Sequence, residues 1–285
     1  MHPRSPFNQR PDFGDVAERH PRLKRYLRKT KSGWAIEFSD PKAMRELTCA
    51  LLSIYFGILL EIPLDSLCPP VPNRLDYILH IEDLVSEYRL VPDQVIRGID
   101  IGTGASCIYP LLGCKRNPTW HFLALEIDDR SIEFATNNVN RNKLKDNITI
   151  AKGCTTGPIL VLPDNDTVYD FCMCNPPFYK DDDEMRLSRS LKKQAPPAIC
   201  MGSTNEMLRP GGELSFVASM ISESQALGPR IRWYTSLVGF MENAKALEAM
   251  LIEKKVPVVH RQFYRQGQTT RSVLSWSFIR NGPKE

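Results

Sequence analysis

Asn175, Pro176, Pro177 and Phe178 close the apolar run Tyr169–Cys174, and together their types suit one kind of chemistry. Two consecutive prolines hold the backbone in an extended turn and point its carbonyls outward. The Asn175 side-chain oxygen and the Pro176 carbonyl can each accept one N–H, and Phe178 can stack on a ring. This arrangement fits a flat base that carries an exocyclic amine. Such an amine is a poor nucleophile because its lone pair is conjugated with the ring. Two acceptors holding its hydrogens shift the nitrogen toward tetrahedral geometry and aim the lone pair at a methyl donor. No dedicated general base is needed, since alignment and preset dipoles supply the acceleration. Stacking contributes about 1–3 kcal/mol per base, close to the few kcal/mol that unstacking a target nucleotide costs. Phe178 therefore offsets the extrusion.

A second motif, Asp100-Ile101-Gly102-Thr103-Gly104-Ala105-Ser106, follows the first apolar run of the C-terminal two thirds. Glycines at such a turn let the backbone approach a ligand closely at the carboxyl ends of the strands. A nucleotide-like cofactor is implied. The dinucleotide version of the turn wants a third glycine, and Cys107 stands in that place, which disfavours a dinucleotide. Glu126 and Asp128 end the next apolar run. An acid at this strand tip can accept hydrogen bonds from both hydroxyls of a ribose, and Glu126 is the better placed of the two.

The elements that position these motifs follow from periodicity. Apolar runs at Val95–Ile101, Trp120–Ile127, Ile148–Lys152, Tyr169–Cys174, Leu214–Ala218, Trp233–Leu237 and Val273–Ile279 alternate with amphipathic stretches such as Ser131–Asn142 and Asn243–Lys254. Near-continuous apolar strands alternating with helices predict an α/β fold, a seven-stranded, mostly parallel sheet with helices on both faces. Upstream, Asp40-Pro41 offers an N-cap and a first-turn proline for a helix ending near Gly57. Leu67–Asn73 holds three prolines and reads as an extended loop. Leu75, Ile78, Leu79, Ile81, Leu84 and Val85 then mark a second helix.

With 285 residues, 42% apolar and 25% charged, the chain has the composition of a globular protein with a sizeable core. Its longest uncharged apolar stretch, Leu47–Leu60, is well short of the roughly 20 residues of a membrane span. Nothing at the start resembles a secretory signal, so a cytosolic or nuclear address is expected. The eight cysteines form no Cys-x-x-Cys pair and read as reduced core residues, with no metal site. Charge is unevenly spread: residues 1–31 carry a net +6, residues 254–285 another +6, and the middle about −8. Basic ends around an acidic middle suggest that the termini hold a polyanion. Residues 1–31, rich in proline and arginine and poor in periodicity, read as an arm that orders against a partner.

Taken together, the glycine turn and the Asn-Pro-Pro-Phe turn resemble those of class I, S-adenosylmethionine-dependent N6-adenine methyltransferases. The runs Val71–Ile78, Arg97–Gly113 and Phe171–Phe178, with Gly211-Gly212-Glu213-Leu214, Arg232-Trp233-Tyr234 and Ser275-Trp276-Ser277-Phe278, are similar to the methyltransferase-like protein 16 family. That family methylates U6 small nuclear RNA, and its bacterial branch acts on 23S ribosomal RNA. The resemblance covers nearly the whole chain from about residue 35 and implies a Rossmann-like domain at 91–285. A helical extension at 35–90 and a basic arm at 1–34 precede it, and a substrate loop spans 179–198. It further implies S-adenosylmethionine as cofactor, with S-adenosylhomocysteine as product. Arg74 would reach the cofactor's carboxylate, which its planar fork suits; Asp100, Gly102, Thr103, Gly104 and Ser106 would line the same pocket, Glu126 would bind the ribose, and Thr155 or Thr156 the adenine. Arg4, Arg10, Arg186, Arg189, Lys192, Lys193 and Arg271 would contact RNA. The implied partner is a structured RNA with an unpaired adenosine, met by a monomer, without metal or membrane, in the nucleus or also the cytoplasm. The resemblance implies a short, non-animal member, and the C-terminal RNA-binding modules of animal members are not found within these 285 residues. The Arg4–Arg10 segment is thinner in charge than the family's arm, and Arg22, Lys24, Arg25, Arg28 and Lys29 stand ready to compensate. Two competing readings stay open on these residues: a protein-glutamine methyltransferase using the same turn, and a noncatalytic RNA-binding scaffold.

Overall fold

A computed structural model describes residues 1–88, 91, 93–163, 166–177, 179, 210–266 and 269–280. The N-terminal residues form α1 (Phe13–Arg19), then β1 (Leu27–Thr30) and β2 (Gly33–Ile36), an antiparallel hairpin. This segment does not await a partner to order. Phe7, Phe13, Val16, Ala17 and Leu23 are buried in the apolar cluster that also holds Leu47 and Leu51. Phe13, Val16 and Ala17 keep helical spacing, but over a helix of only seven residues, and Phe7 and Leu23 lie on short turns outside it, so no longer period was readable.

Helix α2 (Pro41–Phe56) begins and ends where its caps dictate: Asp40 accepts the Lys42 N–H at 2.8 Å, and Gly57 turns left-handed at φ 62°. Helix α3 (Val71–Ser86) takes in the last residues of the proline segment expected to be a loop, because Pro72 sits in the first turn, where it forfeits no helical bond.

The remaining elements are β3 (Ile96–Ile101), α4 (Ile108–Arg116), β4 (Trp120–Glu126), α5 (Asp129–Arg141), β5 (Ile148–Lys152), β6 (Tyr169–Cys174), α6 (Gly212–Leu227), β7 (Ile231–Val238), α7 (Met241–Glu253), β8 (Val258–Gln266) and β9 (Thr269–Ser277). The seven-stranded sheet runs β5-β4-β3-β6-β7-β9-β8; the first five strands are parallel, while β9 lies antiparallel to both β7 and β8. Successive residues alternate between two apolar clusters. Phe122, Phe171 and Met173 face Leu47, Tyr77 and Leu111 of α2, α3 and α4, whereas Leu123, Cys172 and Cys174 face Phe216 and Leu247 of α6 and α7. Both sheet faces are thus covered, as near-continuous apolar strands require.

One expected strand proves to be a helix, and one strand was not expected. Leu214–Ala218 belongs to α6, not to a strand: Glu213, Phe216, Val217, Met220, Ile221 and Ser224 are its buried stripe, a helical period that outruns the five-residue window. Strand β8, with Arg261, Gln262 and Arg265 among its nine residues, occupies a sheet edge, where a strand need not be apolar. Among the described residues, no helix is long and apolar enough to cross a membrane, and no cluster of His, Cys, Asp or Glu is arranged to hold a metal ion.

Candidate active site

The glycine turn leaves β3 with Gly102 at φ 70° and Gly104 at φ 63°, conformations that glycine adopts without a side-chain clash. Cys107, where a third glycine is absent, also lies left-handed at φ 47°. The turn is tied to the tip of β4: Gly102 and Thr103 donate to the Leu125 carbonyl at 2.9 and 3.0 Å. Glu126 completes the tie, its Oε2 accepting the Gly104 N–H at 2.8 Å and its Oε1 the Ile127 N–H at 2.7 Å. The two acids at this tip divide their work. Asp128 caps α5 by accepting the Ser131 N–H at 2.8 Å, which leaves Glu126 as the carboxylate set into the turn.

Asp100, at the end of β3, is fully buried; Thr103 is the one hydroxyl turned to its carboxylate, and neither oxygen makes a hydrogen bond of full geometry. Burial pushes its carboxyl up to about 7; Thr103 and Arg74 pull it down and Glu126 pushes it further up. Arg74 comes from α3 and is buried, 3% exposed, with its guanidinium 5.6 Å from the centre of the Tyr109 ring. Its Nη1 makes no hydrogen bond. A buried cation with an unmade donor and a buried acid with two unmade acceptors are costly alone. They suit a zwitterion that brings a carboxylate to one and an ammonium to the other.

At the end of β6, Pro176 is buried and Pro177 half-buried, and Asn175 Oδ1 is buried without a hydrogen-bond partner. The glycine turn and the proline turn open onto one cavity of about 350 Å³. Its wall includes Arg74, Gly102, Thr103, Gly104, Ser106, Glu126, Thr155, Asn175, Pro176 and Pro177. Asp100 is buried and not on that wall, and Thr156, next to Thr155, is exposed and not on it either. Phe178, Arg186, Arg189, Lys192 and Lys193, and all of the 179–198 loop except Tyr179, lie outside the described residues.

Several wall residues escaped the sequence reading. Tyr109, the second residue of α4, and Ile127, next to Glu126, were available from their closeness to the two motifs. Pro69, Cys154 and Phe216 come from distant segments and carried no local mark.

The three described residues expected on RNA are placed differently from one another. Arg4 folds back onto α3, where it pairs with Glu82 at 2.7 Å and Asp83 at 2.5 Å and donates to the Leu79 carbonyl. Arg10 is exposed and stacks over Phe13 at 4.8 Å. Arg271, half-buried, helps line a small void beside Arg74 and Tyr264. The residues named as compensation have a firmer platform. Residues 20–36 contain no acid, and Arg22, Lys24, Arg25, Arg28, Lys29 and Lys31 are all exposed on or beside the β1–β2 hairpin, with Trp34 exposed on its second strand. Leu23 and Ile36 anchor that hairpin in the core.

A mixed seven-stranded sheet with a glycine turn after its first strand and an Asn-Pro-Pro turn after its fourth defines a Rossmann-like methyltransferase fold. Residues 1–280 match an RNA methyltransferase family profile, and the chain belongs to that family, the family of METTL16. It is 40% identical over its full length to the RNA N(6)-adenosine-methyltransferase mettl16 of Xenopus laevis, of which it covers 54%. It is 35% identical to the U6 small nuclear RNA (adenine-(43)-N(6))-methyltransferase of Drosophila melanogaster, 98% of this chain aligning with 93% of that one. To the ribosomal RNA large subunit methyltransferase F of Pseudomonas putida it is likewise 35% identical, covering 95% of it. The chain therefore spans about half the length of the vertebrate relatives and nearly all of the other two. The hMettl16 catalytic domain in complex with MAT2A 3'UTR hairpin 1 superposes with a TM-score of 0.89 at 40% identity, covering 98% of this chain and 96% of that one. The N-terminal domain of human METTL16 in complex with SAH superposes with a TM-score of 0.83 at 37% identity, covering 98% and 99%.

Proposed function

We propose that this chain, as a monomer, transfers a methyl group from S-adenosylmethionine to the N6 amine of an unpaired adenosine in structured RNA, with U6 small nuclear RNA as substrate and the nucleus as its place of work. The single observation that carries this reading is the unpartnered, buried Asn175 Oδ1 on the same cavity wall as the glycine turn. The Drosophila and Xenopus relatives' names and the human complex with an RNA hairpin support it.

The residues fit the cofactor. Arg74 would take its carboxylate, Asp100 would neutralise its ammonium from below, Glu126 would accept from its ribose, and Thr155 and Ile127 would border its adenine. When bound, that cofactor supplies an electrophilic sulfonium methyl. Asn175 Oδ1 and the Pro176 carbonyl would each accept one hydrogen of the target amine, holding both protons away from the line of attack and withdrawing the lone pair from the ring; the nitrogen, cationic once methylated, then releases one of the two protons to solvent. From its place in the motif Phe178 would stack on the base, and the bound base would displace water from the cavity, which strengthens both acceptor interactions. Methyl transfer to U6 RNA, compared with a ribosomal RNA fragment and a glutamine-containing peptide, tests the reading. Labelling of the peptide alone would replace it with the protein-glutamine reading, and saturable cofactor binding without any methyl transfer would favour the scaffold. Labelling of ribosomal RNA alone would replace U6 as the substrate.

The hairpin cations provide the phosphate grip. With about six phosphates neutralised, log affinity for single-stranded RNA should fall with log salt at a slope of about −4. A filter-binding series in potassium chloride measures it, and a flat response would exclude the hairpin as the electrostatic contact.

Cofactor binding should also depend on pH. The folded-state pKa of Asp100 is raised, from 3.8 to about 7, so the carboxyl is protonated in the ligand-free protein below that value. A raised acid binds extra protons in the folded state, so its contribution to stability falls as pH rises from about 4 through 7. An ammonium ligand favours the ionised form. Affinity should therefore rise with pH, being about tenfold weaker at about pH 6 than at about pH 8 by calorimetry, and Asp100→Asn should abolish the slope.

A further inference from the structure

Three elements meet at the residue just before Asn175. Tyr77 of α3 is buried, and its phenolic oxygen accepts the Cys174 N–H at 3.2 Å. The same oxygen lies 2.7 Å from Thr235 Oγ1 of β7. Thr235 is buried too, and its hydroxyl donates to the Cys172 carbonyl at 2.8 Å. Because the threonine proton is committed there, the phenol must be the donor in the pair with Thr235. Burial raises the Tyr77 phenol well above its ordinary range, so its proton stays in place.

The direction of every bond is thus fixed: Cys174 N–H to Tyr77, Tyr77 O–H to Thr235, Thr235 O–H to the Cys172 carbonyl. The location explains the arrangement. The β6–β7 register ends at Cys172 opposite Tyr234, while on the other edge Cys174 still pairs with Ile101 of β3. Past that point two side-chain hydroxyls stand where the neighbouring strand's ladder stops. Tyr77 also follows Arg74 by three residues on α3, so the two side chains share a helix face.

We propose that Tyr77 is a positioning residue for methyl transfer: its hydroxyl fixes the end of β6, and hence Asn175 and the Pro176 carbonyl, in register with Arg74 on the same helix. The inference rests on the role given to Asn175 under Proposed function. Group transfer is sensitive to such placement, since a shift of about 1 Å can cost about 10²-fold in rate. Arg74 sets where the cofactor's methionine end sits, and Tyr77, one turn on, sets where the amine acceptors sit.

Tyr77→Phe retains the ring and removes the hydroxyl. Its kcat for RNA methylation, per folded enzyme titrated with S-adenosylhomocysteine, should fall about 10- to 100-fold, with cofactor and RNA dissociation constants within about twofold of the parent. A hydroxyl that served stability alone would lower Tm and leave kcat per folded molecule unchanged. Thr235→Val removes the phenol's acceptor and should lower kcat by a smaller factor, while Thr235→Ser restores the hydroxyl and the rate. This pair decides the matter if Tyr77→Phe fails to fold. The proposal is overturned if every folded variant among Tyr77→Phe and Thr235→Val keeps kcat within about twofold of the parent. Should Asn175→Ala retain activity, the role of Asn175 falls instead; an inactive Asn175→Ala beside a fully active Tyr77→Phe would defeat the positioning inference alone.

Discussion

Asn175→Ala is expected to lower kcat for RNA methylation by about 10²- to 10³-fold, the usual cost of removing one preset dipole from a developing charge. The side-chain oxygen is buried and unpartnered, so no competing protein contact is lost with it. Alanine leaves the amine with one acceptor in place of two, and the lone pair stays conjugated. Cofactor binding should hold within about twofold, because Arg74, Asp100 and Glu126 are untouched. Single-turnover labelling with calorimetry separates the two quantities. Full activity in this variant would remove the basis for the adenine slot.

Arg74→Met is the second large effect, and it falls on binding. Methionine keeps the length of the side chain and its packing on Tyr109 but cannot grip a carboxylate. Leaving that carboxylate buried and unpaired costs about 2–5 kcal/mol, so the dissociation constant for the cofactor should rise about 30-fold or more. The ligand-free protein should keep its Tm or gain, since a buried charge with an unmade Nη1 donor leaves the interior. Arg74→Lys should rescue little, because an ammonium lacks the planar fork. A ligand-free protein that loses stability with unchanged affinity would make Arg74 a structural residue only.

Much of the site was legible because its residues are adjacent in sequence. Gly102–Gly104 and Asn175–Pro177 each form a turn whose backbone is dictated locally, so motif and geometry coincide. The caps of α2 are likewise local, and the helix obeyed them to the residue. What was hidden depends on distance. Tyr77 lies 97 residues before Cys174 and is not one of the apolar positions that mark its helix, so nothing local pointed to its contact until the chain is folded. Strand β8 draws its stability from a neighbour, so its polar sequence carried no strand period. Glu213 stands just before the run expected to be a strand; buried, it accepts from Gly239, Phe240 and Asn243, bonds no short window could foresee. Arg4 was read for its charge, whereas the acids that engage it, Glu82 and Asp83, lie on another element.

That Arg74 and Asn175 border one uninterrupted space of about 350 Å³ has a pharmacological corollary. A compound joining an adenine, through its exocyclic nitrogen and a short aliphatic tether, to an aminobutyrate would place both heads at once. The second head then engages at a millimolar local concentration, so affinity climbs about 10²- to 10⁴-fold over either half. Tether length becomes a ruler, and the optimum reports the span that the proximal wall imposes on the two reactants.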